Sequence, residues 1–131
     1  LVPSHYFAQA ALGFSYLLEG RAKQALNTYS EQKKGMWYKM VIAMAHHSLG
    51  NVEDANRYLK MLINDHSATA AYQIAEVYAW RGENELAFQW LQRAYEQHDA
   101  GVGYIKTDVF LKNLATDERY IALLKKLKLP L

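Results

Sequence analysis

Three glycines recur along this chain at nearly even intervals: Gly20, Gly50 and Gly82, separated by 30 and then 32 residues. Their surroundings repeat with them. Five residues after each comes an alanine: Ala25, Ala55 and Ala87. Seven residues before each sits a tiny residue: Gly13, Ala43 and Ala75. The residue before that is a branched aliphatic (Leu12, Ile42, Ile74), and four residues before each glycine is a ring (Tyr16, His46, Tyr78). A period of this length marks stacked supersecondary units, none of which can bury its apolar face alone.

The segments between glycines read as helices. Both prolines, Pro3 and Pro130, lie at the ends, so nothing breaks a helix through the middle of the chain. Each copy predicts a helix of about four turns, a glycine turn, and a second helix of about three turns. Asn51 and residues 65–67 are cap candidates for the helices that follow them. Short connections force the paired helices antiparallel. The small residues fall mid-way along each first helix and in the first turn of each second one, so the backbones can approach closely. A leucine there would overpack the contact by about 1–3 kcal/mol. Tyr16, Tyr78, Tyr29, Leu59 and Leu91 are expected to fill the space around it.

These columns resemble the tetratricopeptide repeat, a helical hairpin that stacks into a right-handed superhelix. The third copy matches through Ile74, Ala75, Tyr78, Gly82, Ala87, Leu91 and Ala94. The second matches through Ile42, Ala43, Gly50, Ala55 and Leu59, with His46 in the tyrosine place. The first matches through Leu12, Gly13, Tyr16, Gly20, Ala25 and Tyr29, with Gln32 where the late alanine would stand. The resemblance implies an all-α superhelix, a solenoid of three hairpins at about residues 4–34, 36–65 and 67–98, closed by a C-terminal helical cap at about 104–128.

Beyond the third hairpin, residues 99–103 contain two glycines and read as a loop. Val109, Phe110, Leu111 and Leu114 fit a short apolar-faced helix. Thr116 and Asp117 are cap candidates for a last helix carrying Tyr120, Ile121, Leu123, Leu124 and Leu127. Together with the third hairpin, this tail resembles the C-terminal tetratricopeptide region of multidomain bacterial signalling proteins: winged-helix regulators, class III adenylate cyclases and kinases. Residues 107–110 and 117–120 stand where that group has its D-P-x-F and D-P-R-F runs, with Val109 and Glu118 in the proline places. The resemblance implies a regulatory module attached to an output domain, such as a nucleotide cyclase or kinase, in which any enzymatic activity would reside. The chain opens on Leu1 without a methionine, and we expect it to be a segment of a longer protein. The sequence names no compartment. The cytoplasm is slightly favoured, and a membrane segment ahead of the repeats would place them in the periplasm.

Composition narrows the function classes. Half the residues are apolar and about a fifth are charged, over a length of 131, which suits one ordinary globular domain. A net charge of +2 is too small to argue for a polyanion partner. Residues 104–131 hold six basic and three acidic side chains, which read as a solvated helix face. Cysteine is absent, which removes disulfides and thiol chemistry. His46 and His47 are adjacent on a helix and point about 100° apart, so they do not share an ion readily. No i, i+4 histidine pair, phosphate-binding glycine loop or nucleophile elbow occurs. The acidic pairs Glu53–Asp54, Glu83 with Glu85, and Asp117–Glu118 fall in first helical turns, where they face the positive helix end. The expectation is a non-catalytic chain with no cofactor and no metal.

In stacked hairpins the first helices line the concave face. Offsets of 13, 10, 6 and 3 residues before each turn glycine select the side chains that look into it. These are Phe7, Ala10, Phe14 and Leu17; then Trp37, Met40, Met44 and His47; then Thr69, Tyr72, Glu76 and Ala79, with Trp80 alongside. Aromatic and methionine side chains make adaptable binding surfaces. The expectation is a groove for an apolar or amphipathic peptide or another domain of the same protein. The alternative is a structural module whose inner face is covered by its own C-terminal segment or by a second copy in a homodimer. With almost no basic residues on that face, nucleic acid is not an expected partner. No stretch is apolar enough to insert in a membrane.

Overall fold

The computed structural model describes residues 3–28 and 35–129. Among them every regular element is helical, and the fold is all-α. The α-helices are α1 (Pro3–Leu18), α2 (Ala22–Leu26), α3 (Met36–Ser48), α4 (Val52–His66), α5 (Ala71–Trp80), α6 (Asn84–Glu96) and α7 (Glu118–Lys126). Two 3-10 helices, Ala100–Thr107 and Val109–Leu114, lie between α6 and α7. The chain forms two compact units, Leu1–Asp65 and His66–Leu131.

The three repeat glycines do one job in three places. Gly20, Gly50 and Gly82 take φ of +75°, +79° and +77°, in the left-handed region that ends a helix. In each case the next residue's N–H donates back to the carbonyl of the ring residue four before the glycine. The bonds are Arg21 to Tyr16 at 2.8 Å, Asn51 to His46 at 2.9 Å and Glu83 to Tyr78 at 2.9 Å. The same turn recurs after α6 and α7 without glycine. His98 at φ 57° lets Asp99 N–H reach Ala94 O at 2.9 Å, and Lys128 at φ 60° lets Leu129 N–H reach Leu124 O at 3.0 Å. A side chain in that conformation is strained. Replacing His98 with glycine should therefore raise stability by about 0.5–1 kcal/mol, the strain relieved exceeding the added entropy of the unfolded chain. Thermal unfolding followed by circular dichroism measures this, and a lowered midpoint would count against it.

In the first unit, α1 packs on α2 and α3. Gly13 makes the α1–α3 approach possible: a Cβ there would lie 2.8 Å from Val41 Cγ1. Ala10, Leu17, Ala25, Val41 and Ala43 are buried in this unit. The second helix of the first repeat is described over five residues, shorter than the three turns expected. Tyr29 and Gln32, which the repeat pattern uses, lie outside the described residues. Between α3 and α4, Tyr58 stacks on His46 with centroids 5.9 Å apart and meets Tyr38 edge-on at 5.9 Å. Burial and the Tyr58 hydroxyl push Tyr38 up to about 12. Lys39, a buried cation, is held by Asp65 at 2.9 Å. Asp65 is thus an α4 residue with its own partner rather than the cap of the next helix, and Asn51 turns its amide to His46 Nδ1 at 3.1 Å.

In the second unit, α5 and α6 form an antiparallel hairpin around Ala75, Ala79, Ala87, Leu91 and Ala94, all buried. Of the segment read as a loop over residues 99–103, Asp99 is an extended cap and residues 100–103 are instead the start of the first 3-10 helix. Three aspartates nine residues apart punctuate this region: Asp99, Asp108 and Asp117. Each begins a short helix, and its Oδ1 accepts the N–H two residues ahead, from Gly101, Phe110 and Arg119 respectively, each at 2.9 Å. Arg119 keeps the half-buried Asp117 carboxyl down at about 2 through side-chain hydrogen bonds. Val102, Ile105, Phe110, Leu111, Leu114, Tyr120, Leu123 and Leu124 turn inward and close the core.

Candidate functional site

The residues expected to line an inner face divide between the two units. In the first, α1 presents Phe7 and Phe14 two turns apart, and α3 opens with Trp37. Their rings meet edge-on, Phe7 to Trp37 at 5.2 Å and Phe14 to Trp37 at 6.2 Å. Phe7 is 50% exposed, while Phe14 and Trp37 are half-buried. Leu17, Met40 and Met44 are buried, Met44 completely, and His47 is exposed. The reachable apolar surface among these positions is the aromatic triad with Phe7 at its rim.

In the second unit, Tyr72 and Glu76 are buried, and Trp80 is half-buried. What covers them is the chain's own segment from Asp99 to Leu114, a strap along the length of α5. At the start of α5, Ala70 offers no side-chain cap, and Asp99 Oδ2 accepts from the Tyr72 N–H at 3.2 Å. At its middle, the Tyr72 hydroxyl donates to Asp108 Oδ2 at 2.6 Å, and Glu76 hydrogen-bonds the same carboxylate. At its end, Asn113 Nδ2 donates to the Ala79 carbonyl at 3.1 Å and to Asn84 Oδ1 at 3.2 Å. Phe110 stands edge-on to Trp80 at 5.7 Å. The strap thus supplies the N-terminal cap that the local sequence leaves open, and adds a second donor to the Ala79 carbonyl, which already accepts from Gly82 N–H at 3.0 Å.

Gly101 sets how close the strap lies. A Cβ at that position would fall 2.6 Å from Tyr72 Cγ and 2.9 Å from its Cβ, so only glycine lets the backbone rest on the ring. Repeat offsets pick out Tyr72, Glu76 and Trp80, but they assign no role to Asp99, Gly101, Asp108 and Asn113. The signal available for two of these was the nine-residue spacing of the aspartates.

Electrostatics here are unusual. Glu76 is a buried acid in mid-helix, and its carboxyl is raised well above the usual range, first by burial, then by its hydrogen bond to Asp108 and the charges of Asp108 and Asp99. Tyr72 is raised as well, by burial and then by Asp108. Several other acids have basic partners: Asp54 with Arg57 at 2.8 Å, Glu83 with Arg81 at 2.6 Å, and Glu85 with Arg119 at 2.5 Å. Among the described residues no group of three histidine or acidic side chains is placed to hold a metal ion. No described helix is long and apolar enough to cross a membrane. An open cleft of about 420 Å³ lies between α6 and α7, floored by Phe88, Ala122 and Leu123. Arg119 lies over Phe88 at 4.4 Å there, already engaged by Asp117 and Glu85.

Compared with known proteins, the chain matches no family model, no curated protein and no solved structure.

Proposed function

We propose that this chain is a non-catalytic, tetratricopeptide-like interaction module whose helical hairpins stack as a solenoid, regulating an attached output domain of a bacterial signalling protein. The observation that carries this reading is the aromatic triad Phe7, Phe14 and Trp37, held on two helices with Phe7 half open to solvent. An aromatic anchor site of this kind takes an apolar or amphipathic peptide segment. The identical glycine turns at three repeats support the hairpin architecture.

The test is selection of peptides from a random display library on the immobilised chain, followed by titration of a fluorescent copy. Selected peptides should carry aromatic or aliphatic anchors. Phe7→Glu should weaken them by about tenfold or more, as for an interface hot spot, with helical circular dichroism unchanged. Tyr104→Glu, at an exposed position in the other unit, should leave binding intact. Peptides that bind both variants equally would sink the reading. Met44 is unsuited to this test, because a charge at a fully buried site attacks the fold itself.

A second reading has its own support. The clasped face of α5 fits a structural module whose inner surface is filled by its own C-terminal segment or by self-association. Under that reading, sedimentation gives a fixed oligomeric state and no selected peptide saturates the chain.

A further inference from the structure

The strap meets α5 through groups that cannot all be charged at once. Glu76 projects from mid-helix into the buried contact, 8% exposed. From the strap, Asp108 is its hydrogen-bond partner and Asp99 adds a second negative charge. From α5 itself, Tyr72 donates to Asp108 Oδ2 at 2.6 Å. From α7, Tyr120 lies near enough to act on Tyr72 and is itself raised by burial and by Asp108. Among the described residues no ion pair involves Glu76, Asp99 or Asp108. Two carboxyl groups in hydrogen-bond contact without a cation share one proton, since the buried Glu76 and the half-buried Asp108 would repel each other as anions with no compensating charge.

We propose that the strap is a proton-dependent clasp: Glu76 and Asp108 share one proton across the strap–α5 contact, and loss of that proton loosens the strap. With the strap seated, the protonated Glu76 carboxyl donates to the Asp108 carboxylate, whose Oδ1 is occupied by Phe110 N–H and whose Oδ2 accepts from Tyr72. On alkalinisation the Glu76 proton passes to solvent and leaves two facing carboxylates. The strap also covers Tyr72, one of the predicted inner-face residues, so loosening it uncovers that surface. The clasp goes beyond the interaction reading and does not depend on any partner.

The direction follows from proton linkage. Glu76 holds its proton more tightly when the strap is seated than when it is released. The seated state therefore binds more protons between the two ionisation ranges, and seating weakens as pH rises through the higher one. At pH below the ordinary glutamate range both states are protonated and the dependence vanishes.

Hydrogen exchange on the full chain tests this at the Val102 and Leu111 amides of the strap, corrected for intrinsic rate and referred to Leu91 of α6. In the wild type, strap protection should fall by up to about tenfold per pH unit from the ordinary glutamate range upward, and level off where the seated Glu76 ionises. In Glu76→Gln, which keeps a hydrogen-bond donor toward Asp108 without an ionisable proton, protection should stay level over the same range. A wild type with level protection, or a Gln variant with the wild-type slope, overturns the proposal. If the Gln variant does not fold, infrared spectroscopy of the wild type decides. A buried protonated-carboxyl band that persists while strap protection falls, and disappears where that fall levels off, supports the clasp, and its absence overturns it.

Discussion

Leu114→Ala should destabilise the second unit by about 2–5 kcal/mol, the cost of deleting a fully enclosed leucine and leaving a cavity. Leu114 ends the strap with none of its surface exposed, in one cluster with Ala79, Leu91, Leu111 and Leu124. Its neighbour Asn113 fastens the end of α5, so a shift of the strap to fill the void would break the bond to the Ala79 carbonyl. Relaxation is therefore costly and the loss should sit toward the upper part of that range. Val109 stands on the same segment and is 48% exposed, so Val109→Ala should change stability by no more than about 0.5 kcal/mol. Urea unfolding followed by tryptophan fluorescence reads both variants. Equal midpoints for the two would mean that the strap is not seated on α5.

Gly101→Ala should cost about 1–3 kcal/mol, although it adds one methyl group. The methyl carbon would lie 2.6 Å from Tyr72 Cγ, well inside van der Waals contact. The ring has little freedom to retreat, because it is buried and its hydroxyl is bound to Asp108 at 2.6 Å. The backbone of the strap must lift instead, weakening the Asp99 and Asp108 contacts together. Gly103 lies two residues on in the same 3-10 helix. A methyl group added there would meet nothing within 4 Å, and its φ is not positive. Gly103→Ala should therefore be neutral or stabilising by up to about 1 kcal/mol, through the unfolded chain alone. The same chemical change two residues apart should thus have opposite signs in thermal unfolding, and a loss of equal size at both would contradict the close Tyr72 contact.

The positions expected on an inner face differ in exposure residue by residue, for physical reasons. Offsets from a repeat glycine locate a helix face, because helical geometry is local and periodic. They put Phe7 and Trp37 at the same register on α1 and α3, where their rings meet. They do not say whether a face is open. Tyr72 and Glu76 share the periodic logic of Phe7 and Phe14, yet they lie under residues 27 to 36 positions away in sequence. Residues 99–103 read as a loop because two glycines lower helical propensity, whereas Tyr72 supplies the surface on which that segment winds into a 3-10 helix. The missing local cap of α5 has the same origin: its cap is Asp99, which no window around Ala70 contains.

Helical content, the glycine turns and the small-residue packing columns are legible along the chain, because backbone preference and side-chain period act over four to seven residues. The clasping of the α5 face by a strap and the burial of an acid in that contact emerge only in the folded chain. Both depend on long-range contacts, and the Glu76 proton is set by burial and by Asp108, neither of which has any signature in the residues beside it.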